Sequence, residues 1–221
     1  IGNALPDTGT TVYRPPYTPF SFAAFAGRSR GKDFRPFRLT PSHEWALANG
    51  ADFVETGMWL RAQWFKRPGE AGWRDSVDRE VVMTRASVGI CDVTTLGKLD
   101  IQGRDAAEFL NRLYTNAWSK LGIGKCRYGL MLKDDGMVMD DGVTTRIGEN
   151  HFHMTTTTGG AAAVLDWMEE WLQTEWPDLE VYLTSVTEQW AVATLSGPNA
   201  GKILQDTGID FDLSPAEFPF M

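Results

Sequence analysis

The chain has 221 residues, 43% of them apolar, with 9 Trp, 12 Phe and a formal net charge of −8 at pH 7. That length holds one large domain or two small ones, and the apolar share can fill a core. The acidic balance argues against nucleic acid or an anionic membrane as partner, and no apolar run nears the roughly 20 residues of a membrane span. The many aromatic residues point to broad ring packing and to surfaces that meet another subunit. Cys91 and Cys126 lack metal-ligand spacing, and the simplest reading is free, buried thiols in a reducing cytoplasm. His151 and His153 could share a strand face, but no third ligand stands near them in the sequence, so no metal site is expected. The chain opens on Ile1 without a signal-peptide pattern and ends on the apolar run Phe218-Pro219-Phe220-Met221. Both ends read as cuts, and a piece of a longer protein is expected.

Residues 1–40 hold Pro15, Pro16, Pro19 and Pro36, which break helices and remove backbone donors. Arg14, Arg28, Arg30, Lys32, Arg35 and Arg38 alternate with Tyr13, Tyr17, Phe20, Phe25 and Phe34. Basic plus aromatic can mean nucleic-acid binding. In an acidic chain it favours an extended arm lying on an acidic surface. Ser42–Asn49 reads as a short helix, capped by Ser42 and ended by Gly50. Phe53 to Phe65 reads as strand or irregular packing, and Arg67-Pro68-Gly69 marks a boundary. Asp75–Ser87 reads as a helix with Val77, Val81 and Val82 on one face. Leu99 and Ile101 alternate with polar residues, a strand pattern. Ala106, Phe109, Leu110 and Leu113 fall at helical spacing within Asp105–Tyr114.

Tyr128–Arg146 is the stretch around which the rest is organised. It reads as two strands joined at Asp134-Asp135-Gly136, because Gly tolerates positive φ and Asp bonds nearby backbone N–H groups. Leu130 and Leu132 alternate with Met131 and Lys133, and Met137, Val138 and Met139 lead the chain back toward a core. Asp140 and Asp141 then stand side by side. Neighbours on a strand face opposite ways, so one carboxylate can point inward while the other meets water. The plainer alternative is that both sit solvated at a strand end.

Phe152–Thr156 is a further strand, followed by Thr155-Thr156-Thr157-Thr158-Gly159-Gly160 and a helix with the stripe Val164, Trp167, Met168, Trp171 and Leu172. The threonine-glycine turn either binds an anion or polar ligand on its N–H groups or caps the helix. Val181–Val186 and Ala191–Leu195 read as strands, and Ser196-Gly197-Pro198-Asn199 opens a last helix. Strands and helices mix without βαβ spacing. The fold class is therefore α+β, with mixed or antiparallel sheets and packed helices. No G-x-G-x-x-G, P-loop or G-x-S-x-G motif is present.

Several stretches resemble the folate-binding aminomethyltransferase fold of the glycine-cleavage T-protein. They are Cys91-Asp92-Val93-Thr94 after a helix, Gly103 before a helix with Phe109-Leu110, the hairpin ending in Asp140-Asp141, and Leu195-Ser196-Gly197-Pro198-Asn199-Ala200. Their order matches across residues 74–205. Residues 11–70 do not resemble the T-protein. There Tyr13-Arg14-Pro15-Pro16-Tyr17-Thr18-Pro19, Thr40-Pro41 with His43 and Trp45, Gly57-Met58-Trp59 and Phe65-Lys66-Arg67-Pro68-Gly69-Glu70 look like the alpha subunits of heterotetrameric sarcosine oxidases. The resemblance implies residues 1–73 as a linker or extended arm with a short helix, and 74–221 as the N-terminal part of a truncated folate-binding domain.

The implied reaction oxidises sarcosine to an imine and passes its one-carbon unit to tetrahydrofolate, giving 5,10-methylenetetrahydrofolate, glycine and hydrogen peroxide. Asp140 is the implied catalytic carboxylate, with Asp141 as its outward or supporting partner. Leu96, Tyr128, Asp140 and Thr157 are the implied folate contacts, although Thr157 stands where the T-protein has Asn. FAD, FMN and NAD are implied elsewhere in a cytoplasmic assembly that includes a flavin-bearing beta subunit. Further folate contacts are implied beyond Met221, so this chain alone is expected to be inactive. Two alternatives stay open: a non-catalytic assembly module of the same fold, and part of a dimethylglycine oxidase or dehydrogenase relative.

Overall fold

A computed structural model describes residues 38–221, and residues 1–37 of the expected arm lie outside the described residues. Arg38–Met221 form one compact unit. Its centre is a five-stranded antiparallel sheet in the order β6-β7-β8-β5-β9. The strands are β5 (Gly97–Gln102), β6 (Cys126–Leu132), β7 (Val138–Gly148), β8 (His151–Thr156) and β9 (Tyr182–Ser185). Two smaller sheets flank it. One is β1-β3-β2, from Arg38–Leu39, Trp59–Phe65 and Ala51–Thr56. The other pairs β4 (Gly89–Asp92) with β10 (Ala193–Ser196). The helices are α1 (His43–Ala48), α2 (Trp73–Ala86), α3 (Ala106–Leu113), α4 (Ala161–Thr174) and α5 (Ala200–Asp206). This is the α+β arrangement read from the sequence. The sequence division falls at residue 73, whereas in the structure β1–β3 belong to the same compact unit as everything after them.

One face of the central sheet forms the core. Leu99 and Ile101 of β5, Phe152 and Met154 of β8 and Met131 of β6 are each at most 1% exposed. Helix α3 covers them with Ala106, Phe109 and Leu110, and α4 adds Val164 and Met168. Each large side chain buried this way contributes about 1.5–3 kcal/mol against the entropy of ordering it. Trp171 stacks on Trp176 at 5.1 Å, and Trp176 meets Phe109 edge-on at 6.0 Å. Trp118 lies behind β6, fully buried, and crosses Tyr114 edge-on at 5.5 Å. A Cβ on Gly129 would stand 2.6 Å from the Trp118 ring, so only glycine lets the strand come this close.

The structure corrects several expectations. In the first hairpin strand, where the alternation left the inward side open, Met131 takes it. Met131 is buried, while Leu130 is 38% exposed. After the turn, Met137 and Val138 remain outside and only Met139 packs on the core. In α2 the buried residue is Ser76, not the valines. Ser76 donates its hydroxyl to Glu70 at 2.6 Å, and Glu70 also accepts from Arg79, so a polar clip turns this face inward. Val81 and Val82 are left exposed. Ser42 does not cap α1, because its hydroxyl donates to Asp92 instead. Both thiols are free as expected, but Cys91 is exposed and Cys126 half-buried.

Candidate functional site

The hairpin β6–β7 separates the two adjacent carboxylates. In register, Asp140 lies opposite Met131 and Asp141 opposite Leu130. Asp140 therefore shares the inner face with Met131, and Asp141 shares the outer face with Leu130 and Tyr128. Asp140 is 4% exposed, and its two oxygens accept the backbone N–H of Thr157 at 3.2 and 3.3 Å. A buried carboxylate needs such partners, because an unpaired charge in a core is costly. Asp141 is half-buried and accepts the hydroxyl proton of Tyr128. Tyr128 is itself half exposed, so this pair faces outward from the sheet.

β6 is an edge strand, and edges leave backbone groups unpaired. The segment before it fills that edge. Thr115 N–H donates to Leu130 C=O at 3.1 Å. The Asn116 side chain donates to Tyr128 C=O and accepts from Leu130 N–H, both at 3.2 Å. Together these bonds hold the backbone on either side of Tyr128. Behind the strand, burial pushes the Tyr114 phenol well above its ordinary range, and the Asp140 and Asp141 carboxylates push it further. Tyr114 thus stays protonated beneath the two acids.

Leu96 and Thr157 stand at the neighbouring end of the sheet. Gly97 pairs with Thr156, so the residues flanking that pair, Leu96 and Thr157, come to one corner. Thr157 presents its N–H to Asp140, and Thr157–Gly160 run as a tight turn into α4. The Thr95 and Thr158 hydroxyls bond at 3.1 Å, tying the β4–β5 loop to that turn. Asp92 fixes the same loop from its start, accepting Thr94 N–H at 2.9 Å. Burial raises the Asp92 carboxyl, but hydrogen bonds from Ser42 and from the Thr94 side chain and N–H outweigh this and hold it below its ordinary value. Of the four expected contacts, Asp140, Thr157 and Leu96 converge on one corner. Tyr128 lies with Asp141 on the outer face of the hairpin, opposite Asp140.

Elsewhere on the outer face, His151 and His153 do share one strand side. Their rings meet the two oxygens of Asp100 at 3.1 and 2.7 Å. Among the described residues, no cluster of three or more His, Cys, Asp or Glu could hold a metal ion. No described helix is long and apolar enough to cross a membrane.

The model of the GCVT N-terminal domain matches residues 42–221. The chain belongs to the GCVT N-terminal domain family. The chain is 54% identical over 215 residues to "Sarcosine oxidase subunit alpha" of Rhizobium meliloti (strain 1021), covering 97% of this chain and 22% of that relative. The same identity and coverage hold against the subunit alpha of Corynebacterium sp. (strain P-1). The aminomethyltransferase of Thermotoga neapolitana is 29% identical over 176 residues, which are 80% of this chain and 45% of that relative. The crystal structure of glycine cleavage system aminomethyltransferase T from Bartonella henselae overlaps with a TM-score of 0.68 at 24% identity, covering 80% of this chain and 45% of that one. That overlap shows the aminomethyltransferase fold. The chain spans about a fifth of the length of the sarcosine oxidase subunits, at 22%.

Sequence reasoning missed two parts of this site. Asn116 gave no signal, because it bonds backbone atoms of another strand. Lys98 gave no signal either, yet it is only 2% exposed.

Proposed function

We propose that this domain is the folate-binding part of a sarcosine oxidase alpha subunit, moving the one-carbon unit of oxidised sarcosine to tetrahydrofolate. The separation of Asp140 from Asp141 carries the mechanistic reading. A ligand approaching the outer face of β6–β7 meets Tyr128, Leu130 and Asp141, with no intervening side chain from the core. Asp140 is 4% exposed on the inner face, where it accepts Thr157 N–H. The geometry therefore favours Asp141 as the carboxylate that touches the ligand, with Asp140 positioning the Thr157 turn from behind. Leu96 and Thr157 form the adjoining wall.

The chemistry asked of Asp141 is modest. A folate nitrogen adds to the imine carbon and becomes cationic. The carboxylate accepts the proton that this nitrogen sheds and stabilises the positive charge before it moves. Asp141 passes that proton to the departing glycine nitrogen as its bond to the carbon breaks, and the second folate nitrogen closes on the methylene carbon, shedding its own proton to solvent. Tyr128 donates to the same carboxylate and fixes its orientation.

In this reading FAD, FMN and NAD are held by parts of the assembly outside this chain. A flavin-bearing beta subunit is the partner, and the assembly works in the cytoplasm. The exposed apolar residues Val82, at 66%, and Ile90, at 70%, favour a second contribution of the same domain, to assembly with the rest of the protein.

The test is a tetrahydrofolate titration of the full-length protein. Asp141→Asn should weaken binding about 10- to 100-fold, as loss of a charged hydrogen bond does. Asp140→Asn, which keeps an acceptor for Thr157, should bind within a few-fold of the parent. Binding indifferent to both Asp140 and Asp141 would leave the domain as an assembly module. Binding lost only with Asp140 would return the chemistry to that residue.

A further inference from the structure

Lys98 is a buried charge that the folate reading does not use. It is 2% exposed, on β5 at the corner where Leu96 and Thr157 meet. Its ammonium donates to three backbone carbonyls: Thr94 at 2.7 Å, Leu96 at 2.9 Å and Thr187 at 3.3 Å. None of its hydrogen-bond partners is a carboxylate. Asp92 of β4 and Glu188 of the turn at Thr187–Gln189 act on it only through their charge.

The three carbonyls answer the three N–H donors of an ammonium one for one. They also come from two separate segments. Thr94 and Leu96 belong to the β4–β5 loop, and Thr187 opens the turn after β9. The main chain at Lys98 engages the same turn. Its N–H donates to the Thr187 hydroxyl at 3.0 Å, and its C=O accepts Val186 N–H at 2.9 Å. Bonds from a charged donor are about twice as strong as neutral ones. A lysine is an expensive way to fill this space unless its charge is put to use.

We infer that Lys98 is a positioning residue, its ammonium clamping the Thr94–Leu96 loop onto the Thr187 turn and thereby fixing the Leu96 wall of the folate site. The link to folate rests on the reading proposed above, while the clamp itself rests on the geometry alone. Three consequences follow from counting donors. A methionine of similar length fills the space but leaves three carbonyls without their donor. An arginine keeps the charge and the donors. A neutral lysine keeps only two donors and releases one carbonyl. Burial lowers the Lys98 ammonium below the ordinary lysine range, with Glu188 and Asp92 partly opposing it, so that release comes at a pH below that range.

The experiment uses the full-length protein as parent, Lys98→Met and Lys98→Arg, with hydrogen exchange read at Leu96 and tetrahydrofolate Kd measured from pH 6 to about 10. The Leu96 amide bonds Val93 C=O within the loop and reports its order. Lys98→Met should speed exchange at Leu96 about tenfold relative to Phe109 in the core, and weaken folate about tenfold, by loss of charged hydrogen bonds. The parent should lose folate affinity on the alkaline side, Lys98→Met should lack that limb, and Lys98→Arg should restore tight binding without it. Unchanged exchange at Leu96 in Lys98→Met overturns the clamp. Faster exchange with folate affinity and pH profile both unchanged overturns its role at the site. A parent that binds no folate overturns the functional reading and leaves the clamp to the exchange result. Should Lys98→Met fail to fold, a parent profile flat to pH 10 overturns the role.

Discussion

The two faces of the hairpin β6–β7 do opposite work. The inner face carries Gly129, Met131 and Asp140, sealed against Trp118 and Tyr114 and paired to Thr157. The outer face carries Tyr128, Leu130 and Asp141, held by edge contacts from Asn116 and open to whatever approaches. Inside, the Asp140 carboxylate is buried against the Thr157 N–H. Outside, an aromatic ring and a carboxylate can remain available. Two identical residues in sequence, Asp140 and Asp141, thus become a structural acceptor and a candidate ligand contact through strand parity alone.

The largest contrast should appear on truncating neighbours. Met131→Ala removes a fully buried side chain and should cost about 2–5 kcal/mol in chemical denaturation, whereas Leu130→Ala should cost about 0.5 kcal/mol. Equal costs would mean the two faces are not distinct. The acids give a smaller difference. Asp140→Ala strips Thr157 N–H of its acceptor and should cost about 1–3 kcal/mol, most of it recovered by Asp140→Asn. Asp141→Asn should leave the melting midpoint nearly unmoved.

A third contrast concerns pH and a region away from the hairpin. Hydrogen bonds from Arg79, Ser76 and the Arg67 N–H lower the Glu70 carboxyl from an ordinary 4.5 to about 2. A depressed pKa makes the folded state prefer the carboxylate, so this stabilisation is complete above pH 4.5 and disappears as pH falls toward 2. Thermal melts of Glu70→Gln should therefore show a shallower acid limb than the parent. The hairpin should show no such gain, since Glu70 clips α2 and not β6–β7.

The sequence made some of this legible and concealed the rest. Helices α3 and α4 were readable because their apolar residues recur at helical spacing and do face the core. The hairpin was readable because Asp134-Asp135-Gly136 can only turn easily there, and Gly136 takes φ of 80°. Its phase was not readable. Leucine and methionine are equally apolar, and what decides between Leu130 and Met131 is Trp118, which arrives from outside the strand. Helix α2 misled because Val81 and Val82 look like a core stripe, while the inward face is held by Ser76, Glu70 and Arg79. The β4–β10 pair joins Gly89 to Ser196, a separation local patterning does not reach. At the site, strand parity foresaw one aspartate inside and one outside, and the resemblance named Asp141 as the outward one, as the register has it.

The measurement that tests the account most directly is a crystal structure of the full-length protein with a tetrahydrofolate analogue bound. The account predicts the ligand on the outer face of β6–β7, with a nitrogen within hydrogen-bond reach of Asp141 and Tyr128 beside it, while Asp140 keeps its bond to Thr157. A ligand that touches Asp140 and leaves Asp141 to solvent would contradict it.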